Sequence, residues 1–159
     1  MTFRNGELNF YSSSIRIIED TAENIYDFSS DVMSDSWDPL KAKTKVILNE
    51  DVMVCDVLLE QDIFAGVGNI IKNEVLYRIS LHPESLISQI PNEKIDSMIL
   101  EARNYSFDFY NWKKNYELRT HWLVHRKKIC QRCNVPLVSK KTGLKNRRSY
   151  YCLKCQILY

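Results

Sequence analysis

The sequence contains no long hydrophobic run, and this absence limits the kinds of protein it can encode. Charged residues interrupt every apolar stretch well before the roughly 18 residues that a membrane-spanning helix requires. Residues 1–6 contain no apolar core of a secretory signal peptide. We therefore predict a cytoplasmic protein without a membrane contact. Internal repeats and low-complexity linkers are absent as well, which excludes repeat architectures.

The composition is that of a folded globular protein. The chain has 159 residues, of which 45% are hydrophobic and 26% are charged. This length is sufficient for an ordinary domain with a buried core, and these proportions are typical of folded rather than disordered chains. Intrinsic disorder is therefore not expected.

Positive charge is concentrated in the C-terminal half, although the net charge is only +2. Residues 1–80 contain 7 Lys and Arg against 14 Asp and Glu, a net −7, whereas residues 81–159 contain 15 against 6, a net +9. Most of the excess lies between Lys113 and Lys154. A one-sided positive field favours a polyanionic partner such as nucleic acid, although a solvated basic surface has the same composition.

Four of the five cysteines form two C-x-x-C pairs. The pairs, separated by eighteen residues, are Cys130 with Cys133 and Cys152 with Cys155. Each pair can form a tight turn that directs both thiolates at one point, and two such turns give the tetrahedral four-sulfur set of a structural zinc site. We predict one zinc ion bound here, with the connecting hairpin formed by residues 135–138 and 149–151. The segment is too small to bury a core, so its folding would depend on metal binding worth about 10–16 kcal/mol.

A redox dithiol is the alternative for a C-x-x-C pair. Such a pair normally opens a helix in a strand–helix–strand unit, and neither pair here has that context. A disulfide framework is disfavoured because it belongs to exported chains. The remaining thiol, Cys55, lies between Val54 and Val57 and is expected to be a buried apolar side chain.

The first nineteen residues are predicted to form short strands. Asn5-Gly6, the preferred pair for a type I′ turn, separates two strand-like segments. A third, β-branched segment follows at residues 14–18. Two or three isolated strands are marginal in water, so this region is interpreted as the edge of a larger sheet. Its unpaired edge at residues 7–18 would promote self-association.

From residue 21 onward the pattern becomes helical. Asp38-Pro39 is a helix start, with an acidic N-cap followed by proline at the first helical position. Apolar residues at spacings of three and four predict a long helix from about Asn92 to Tyr116, whose apolar stripe is interpreted as core packing. The predicted helices cover residues 39–48, 54–62, 69–79 and 92–116.

A glycine turn at residues 66–69 precedes the third predicted helix. Gly66 and Gly68 allow a sharp reversal and a close approach to a partner, because they have no Cβ. Asn69 is predicted to cap the following helix, whose free N–H groups and positive dipole end form an anion site suited to a phosphate. From these residues alone, an ordinary glycine turn with a capping asparagine is the simpler interpretation.

Two separate motifs resemble one known family. Residues 58–78, which read Leu-Leu-Glu-Gln-Asp-Ile-Phe-Ala-Gly-Val-Gly-Asn-Ile-Ile-Lys-Asn-Glu-Val-Leu-Tyr-Arg, resemble the helix-two-turn-helix of the formamidopyrimidine-DNA glycosylase/endonuclease VIII family. His82-Pro83 follows where that family also has a His-Pro pair. The cysteine spacing and residues 147–152 resemble the C-terminal zinc finger of the same family. The resemblance covers about residues 38–159.

The resemblance implies a mainly α fold with small β elements. A helix-two-turn-helix domain would be followed by a four-cysteine zinc-finger hairpin and preceded by a short β-hairpin remnant of a β-sandwich. The corresponding domains are residues 1–20 for the remnant, 21–125 for the DNA-binding helical domain and 126–159 for the zinc finger.

The resemblance also implies which residues contact DNA. Asn69, with Gly68 beside it, would bind a phosphate next to the lesion. Arg147, five residues before Cys152, stands where the family has an arginine that grips phosphates flanking the extruded nucleotide, and bidentate phosphate contact suits a guanidinium. Arg148, on the opposite face of the strand, is the competing candidate, and a solvated charge is the alternative for either. Two further candidates for phosphate contacts are Lys72 and Arg126.

The catalytic elements of the family are not found in this sequence. In the family, the N-terminal amine of a proline followed by glutamate attacks the sugar C1′ and forms a Schiff base, and a lysine of the β-sandwich takes part. This sequence begins Met1-Thr2-Phe3. A Thr2 amine exposed by methionine removal could act as a nucleophile, but no supporting site is visible around it. We therefore predict no catalytic residues in this chain.

Two functions are consistent with these observations. The first is the DNA-binding half of a base-excision glycosylase and AP lyase, which binds damaged or abasic double-stranded DNA near the nucleoid and is inactive alone. The second is a non-catalytic zinc-dependent module that binds DNA, or structured RNA, through the phosphate backbone.

Overall fold

The computed structural model describes residues 1–11, 13–14 and 16–159. Its helices are Ala22–Ile25 (α1), Pro39–Ile47 (α2), Val54–Val57 (α3), Asn69–Arg78 (α4) and Asn92–Lys114 (α5), with short 3₁₀ turns at Phe28–Ser30, Ile87–Gln89 and Leu118–His121. Its strands are Thr2–Phe3 (β1), Gly6–Glu7 (β2), Val138–Thr142 (β3) and Arg147–Tyr151 (β4), which form two antiparallel hairpins. The mainly α fold with small β elements is therefore confirmed. No helix in the described part of the chain is long and apolar enough to cross a membrane.

The core is organised around α4. This helix is buried continuously from Ile71 to Tyr77, so it has no solvent-facing polar side and must be enclosed by other elements. The long helix α5 packs on it from one direction and strand β4 from another. As predicted, α5 buries a single stripe at spacings of three and four, formed by Ile95, Met98, Ile99, Ala102 and Tyr105. Helix α2 packs against the same α5 and closes the core.

The predicted helix boundaries are confirmed for α2 but not for α3. Asp38 is the N-cap of α2, and its carboxylate accepts hydrogen bonds from the N–H groups of Leu40 and Lys41 at 2.9 and 3.0 Å. Helix α3 ends at Val57, five residues before the predicted end. After α3 the chain continues in short turns, and the Ala65 N–H then donates to the Ser30 carbonyl of an earlier segment at 2.8 Å. That long-range pairing has no local sequence signal.

The N-terminal hairpin has its turn at Arg4-Asn5, one residue earlier than predicted. Neither Asn5 nor Gly6 has the positive φ that a type I′ turn requires, so that prediction is wrong. All side chains of β1 and β2 are exposed, so no buried face fixes the register. The pairing instead includes the N-terminal ammonium, which donates to the Leu8 carbonyl at 2.9 Å.

The predicted third strand at residues 14–18 is not formed by the residues that can be described. Ile15 lies outside the described residues, and residues 14 and 16–18 are in irregular structure. The strand edge therefore extends over two residues only, Gly6–Glu7. Self-association through this region stays a prediction.

In the C-terminal hairpin, the first strand starts later than predicted and the second strand starts earlier. Strand β3 starts at Val138, whereas Pro136 forms only an isolated bridge with Ile129. The reason is that proline has no N–H for a continuous ladder. Strand β4 starts at Arg147, which pairs with Thr142 next to the turn.

The turn of this hairpin is anchored to α3 by a buried carboxylate. Asp56 accepts hydrogen bonds from the N–H groups of Leu144 at 2.6 Å and Lys145 at 3.1 Å. Gly143, at φ +66°, lies directly against this carboxylate, and a Cβ at that position would be 2.2 Å from Asp56 Oδ2. The close approach of the turn to α3 thus requires glycine for both its conformation and its size.

We expect Gly143→Ala to destabilise the protein by about 2–4 kcal/mol, because it combines a left-handed backbone with a steric overlap. The measurement is the free energy of unfolding from urea titration. Gly6→Ala is the matched control: it is exposed, has no atom within 4 Å of the new Cβ, and should change stability by less than about 0.5 kcal/mol. Equal effects of the two substitutions would contradict the anchoring role of Asp56.

Candidate nucleic-acid interface and metal cluster

The four predicted metal ligands converge at the base of the C-terminal hairpin. The Sγ atoms of Cys130, Cys133, Cys152 and Cys155 all lie within 4.8 Å of one another, and those of Cys130 and Cys155 are 3.7 Å apart. Zinc–sulfur bonds of about 2.3 Å in a tetrahedron place the sulfurs about 3.8 Å apart, so the cluster has the size and donor set for one such ion. The four cysteines can therefore hold a metal ion. Cys55 is outside the cluster and buried, as predicted.

The first cysteine turn is packed against the C-terminal end of α4. The Tyr77 hydroxyl lies 3.3 Å from Cys130 Sγ, and the Arg132 guanidinium lies over the Tyr77 ring at 3.9 Å from its centroid. Arg132 also donates to the Ser80 hydroxyl at 2.6 Å and to the Tyr77 carbonyl. These contacts hold the four-cysteine cluster against the C-terminal end of α4.

The second cysteine turn is joined to the segment after α4 by Gln156 and by backbone hydrogen bonds of Ile157. The Cys152 N–H donates to Gln156 Oε1 at 2.9 Å, and Gln156 Nε2 donates to the Leu81 carbonyl at 2.8 Å. Leu81 lies three residues after the end of α4, so the two cysteine turns are attached to the end of this helix and to the segment that follows it. Gln156 is buried, and no local pattern predicts this role.

Helix α4 begins at Asn69, and its N-cap is Gly68, not the predicted Asn69. Asn69 instead occupies the first helical position. Its Nδ2 donates to the Arg148 carbonyl in β4 at 3.0 Å. No side chain caps the first turn of α4, which leaves its N–H groups and positive dipole end available to an anion.

The glycine turn before α4 is shaped by Gln61. Gly66 has φ +90°, a conformation that favours glycine, and its N–H donates to Gln61 Oε1 at 3.1 Å. The Gln61 amide also donates to the Val67 carbonyl at 3.2 Å. Gln61 thereby holds two consecutive residues of the turn, and Gly68 at its end is exposed.

The two candidate arginines differ in their surroundings. Both are exposed, but the Arg148 guanidinium donates to the Ser139 hydroxyl on the neighbouring strand at 3.3 Å. Arg147 shares a strand face with Ser149, whose hydroxyl accepts a hydrogen bond from the α4 residue Lys72. Arg147 therefore belongs to the face of the hairpin that lies on α4, at the end where α4 begins.

Lys72 is not on a surface that DNA could contact. Its side chain is fully buried, and its Nζ donates to the Ser149 hydroxyl at 2.8 Å. Burial, supported by the nearby Arg147 charge, lowers the pKa of the Lys72 ammonium from 10.5 to about 8. The structure thus contradicts the predicted phosphate contact: Lys72 binds the hairpin to α4 instead. The periodicity of an all-buried helix does not show which polar residue points inward.

Asn73, which sequence reasoning missed, joins three segments beneath the candidate interface. Its Nδ2 donates to the Asn69 carbonyl at 2.8 Å and to the Arg148 carbonyl at 3.3 Å, and its Oδ1 accepts from the Tyr150 N–H at 3.2 Å. The His125 ring nitrogen Nδ1 lies 3.3 Å from the same amide nitrogen. Asn73 is 1% exposed. In the sequence, the available signal for such a role was its spacing of four residues from Asn69, which is about one helical turn.

The segment after α5 is held by a buried glutamate of α4. The Glu74 carboxylate accepts hydrogen bonds at 2.8–3.1 Å from the consecutive N–H groups of Leu123, Val124 and His125. Burial, together with the charges of Arg126 and Lys72, lowers the pKa of His125 to about 4, so its ring is neutral at pH 7. Arg126 follows, is exposed, and lines a cleft with Trp122 and Lys113 rather than the turn at Asn69.

Comparison with known proteins identifies the helical region. Residues 30–105 match the family described as the formamidopyrimidine-DNA glycosylase H2TH domain. The human protein "Endonuclease 8-like 3" is 35% identical over 127 residues, which cover 79% of this chain and 21% of that protein. A "Formamidopyrimidine-DNA glycosylase" of Mycoplasma genitalium is 28% identical over 113 residues, which cover 62% of this chain and 39% of that protein. The chain thus spans about a fifth to two fifths of the length of these relatives.

Solved structures share the fold. A viral DNA glycosylase superposes with a TM-score of 0.72 at 23% identity, covering 82% of this chain and 50% of the other. The Lactococcus lactis formamidopyrimidine-DNA glycosylase, bound non-covalently to DNA containing an AP site, superposes with a TM-score of 0.71 at 22% identity, covering 80% and 48%. The matched domain and the curated relatives show that the chain belongs to the formamidopyrimidine-DNA glycosylase/endonuclease VIII family and corresponds to its C-terminal part.

Proposed function

We propose that this chain is the DNA-binding part of a base-excision DNA glycosylase and AP lyase, and that it binds damaged or abasic duplex DNA through phosphate contacts. The surface assigned to this role, the phosphate site, consists of Gly68, Asn69 and Arg147. One zinc ion on the four cysteines is part of the proposal, because the four-sulfur donor set matches the one that structural zinc accepts.

The observation that carries the proposal is the hydrogen bond from Asn69 Nδ2 to the Arg148 carbonyl, 3.0 Å long. It joins two phosphate-binding elements that are 79 residues apart in sequence, the open first turn of α4 and the arginine-bearing strand β4. Asn73 strengthens the same junction from below with its own bond to Arg148. With the N-terminus of α4 bonded to the strand that bears Arg147, the two elements form one anion-binding site rather than two.

Each group of the phosphate site has a defined chemical capacity. The first N–H groups of α4 point outward beside a glycine, so a phosphate oxygen can approach the backbone without meeting a Cβ. The second Nδ2 hydrogen of Asn69 is not used in any hydrogen bond of the described residues and can donate to the same phosphate. Arg147 supplies a full positive charge and a planar pair of donors.

Damaged or abasic DNA is the proposed ligand because relatives of the same fold bind it. The Lactococcus lactis protein was solved with DNA that contains an AP site. A duplex with a missing base bends and opens more easily than an intact one, so a protein that grips phosphates on both sides of the defect deforms it at lower cost.

The test is duplex binding by two single variants, measured by fluorescence anisotropy at several salt concentrations. We expect Asn69→Ala and Arg147→Ala each to weaken binding to a duplex with a stable abasic analogue by about tenfold. Arg147→Ala should also reduce the slope of log K against log salt by about one, since one phosphate charge is no longer neutralised, whereas Asn69→Ala should leave the slope unchanged.

Lys43→Ala is the matched control, because it removes one positive charge from α2, outside the phosphate site, where Lys43 forms an ion pair with Asp96 at 2.6 Å. Its affinity for the duplex should stay within about twofold of the unaltered protein. Equal affinity of all variants would refute the phosphate site. Borohydride treatment of the same complex tests separately for Schiff-base chemistry, since a trapped adduct would show that an amine of this chain performs it.

A further inference from the structure

A basic and aromatic cleft lies beside the phosphate site, between the C-terminal end of α5 and the segment that follows it. It has a volume of about 400 Å³, within the ~300–1,000 Å³ of small-ligand sites. Its walls include three aromatic side chains and three cations, which are Phe109, Tyr116 and Trp122, and Lys113, Arg119 and Arg126. Ile70, in the first turn of α4, forms its boundary with the phosphate site.

The charge of this cleft indicates an anionic ligand. No aspartate or glutamate lines it, and none of its three cations forms an ion pair within the described part of the chain. A second, larger cleft of about 740 Å³ is lined instead by the carboxyl-bearing residues Asp27, Asp31 and Asp62, so it lacks this character. A positive groove with aromatic walls is the usual arrangement for unpaired nucleotides, whose phosphates and bases need both.

Tyr116 has a conformation that stability alone does not explain. It follows α5 with φ +61° and is 97% exposed. The Glu117 N–H donates to the Trp112 carbonyl at 2.8 Å, a pattern that places Tyr116 at the position after a helix where glycine is usually found. A large aromatic side chain is thereby held in solvent at the rim of the cleft, on a backbone that is unfavourable for it.

Trp122, which also lines the cleft, has an indole N–H without a hydrogen-bond partner among the described residues. Its Nε1 atom is buried. The indole packs edge-on against the His125 ring, with the ring centroids 4.8 Å apart, so its position is fixed from behind. Buried donors without a partner are rare in proteins, and Trp122 carries one in a residue that lines the cleft.

We propose that this cleft, the stacking cleft, binds an unpaired nucleotide of a DNA strand that continues from the phosphate site. Tyr116 stacks on its base, while Lys113 and Arg119 neutralise the adjoining phosphates. The inference rests on the proposed function and adds to it a preference for duplex with a single-stranded extension or gap over fully paired duplex.

The experiment compares the affinity of the full chain for four DNAs with one duplex sequence. The first is a blunt duplex, and the second is the same duplex with a single-stranded extension of about six nucleotides at either end. The third has extensions of the same length built from abasic residues, and the fourth is the single strand alone. The base-bearing extension is expected to tighten binding about tenfold, and the abasic extension, with the same charge but no base to stack, much less.

Tyr116→Gly and Arg119→Gln are expected to remove this gain while leaving affinity for the blunt duplex unchanged. Tyr116→Gly should at the same time raise Tm, because glycine is favoured at this position, so lost affinity cannot be attributed to unfolding. Tyr110→Ala is the control, since Tyr110 is a 53% exposed aromatic residue of α5 outside the cleft. It should retain the full gain.

The outcomes separate the two proposals. An equal gain from the abasic extension, or a gain unaffected by Tyr116→Gly, overturns the stacking cleft and leaves the phosphate site intact. A third outcome is that the chain binds the single strand but not the blunt duplex, and that Tyr116→Gly weakens this binding. That outcome overturns the phosphate site and supports the cleft.

Discussion

Removal of the metal is expected to unfold the finger and to weaken duplex binding by about a hundredfold or more, while the helical core stays folded. The physical reason is the division of the interior into two clusters. One lies among the helices, whereas the second is small and includes Cys130 and Cys152 themselves, packed against Tyr77 and Val124. Without the ion, its bonds to the four sulfurs are lost and the cysteines are left as thiols. Little buried apolar surface then remains to hold β3 and β4. The strand that bears Arg147 then loses its fixed position beside the first turn of α4.

The measurements are metal content, hydrogen exchange and DNA affinity. Each is made on the protein before and after treatment with a chelator, and on Cys152→Ser. Bound zinc should fall from one per chain to near zero, and exchange should accelerate in residues 126–159 but not in α5. Cys55→Ala is the matched control, because Cys55 is a buried thiol outside the cluster and its loss should leave metal content unchanged. Full DNA affinity after chelation would show that the finger does not depend on a metal.

Glu74→Ala is expected to destabilise the protein by about 3–5 kcal/mol, the second-largest effect. Glu74 is fully buried and its carboxylate receives the N–H groups of three consecutive residues, Leu123 to His125. Alanine would leave these donors buried without an acceptor and would add a cavity at the centre of α4. The segment that carries Arg126 and borders the stacking cleft would also lose its support.

Urea unfolding monitored by circular dichroism measures this effect, and an unchanged slope of the transition shows that the substitution acts on stability alone. Glu93→Ala provides the comparison, since Glu93 is an exposed glutamate in the first turn of α5 and its loss should cost less than about 1 kcal/mol. A similar small effect for Glu74→Ala would mean that the N–H groups find other acceptors.

Local signals were sufficient for much of the fold. The Asp38-Pro39 start of α2, the apolar stripe of α5 and the two cysteine pairs are each encoded within a few residues, and the structure has all three. Each depends on short-range chemistry: a capping carboxylate, a helical repeat, and thiols brought together by tight turns. The glycine turn before α4 belongs to the same class.

The arrangement of the phosphate site depended on contacts between distant segments. Sequence periodicity could not show that Lys72 points into the hairpin or that Asn69 is the first residue of α4, with its amide turned toward Arg148. Such choices are made by partners about 80 residues away, which satisfy buried polar groups that a local pattern leaves undetermined.

The sequence by itself determined the helical framework, the metal ligands and the family of this protein, because these reside in local spacing and residue type. Only the tertiary structure decided which polar residues are structural and which are available to DNA, since burial and hydrogen bonding are set by the packing of α4 against the hairpin. The packing of α5 and the segment that follows it brought Tyr116, Trp122 and Arg119 together in one cleft, which no local pattern in the chain predicts.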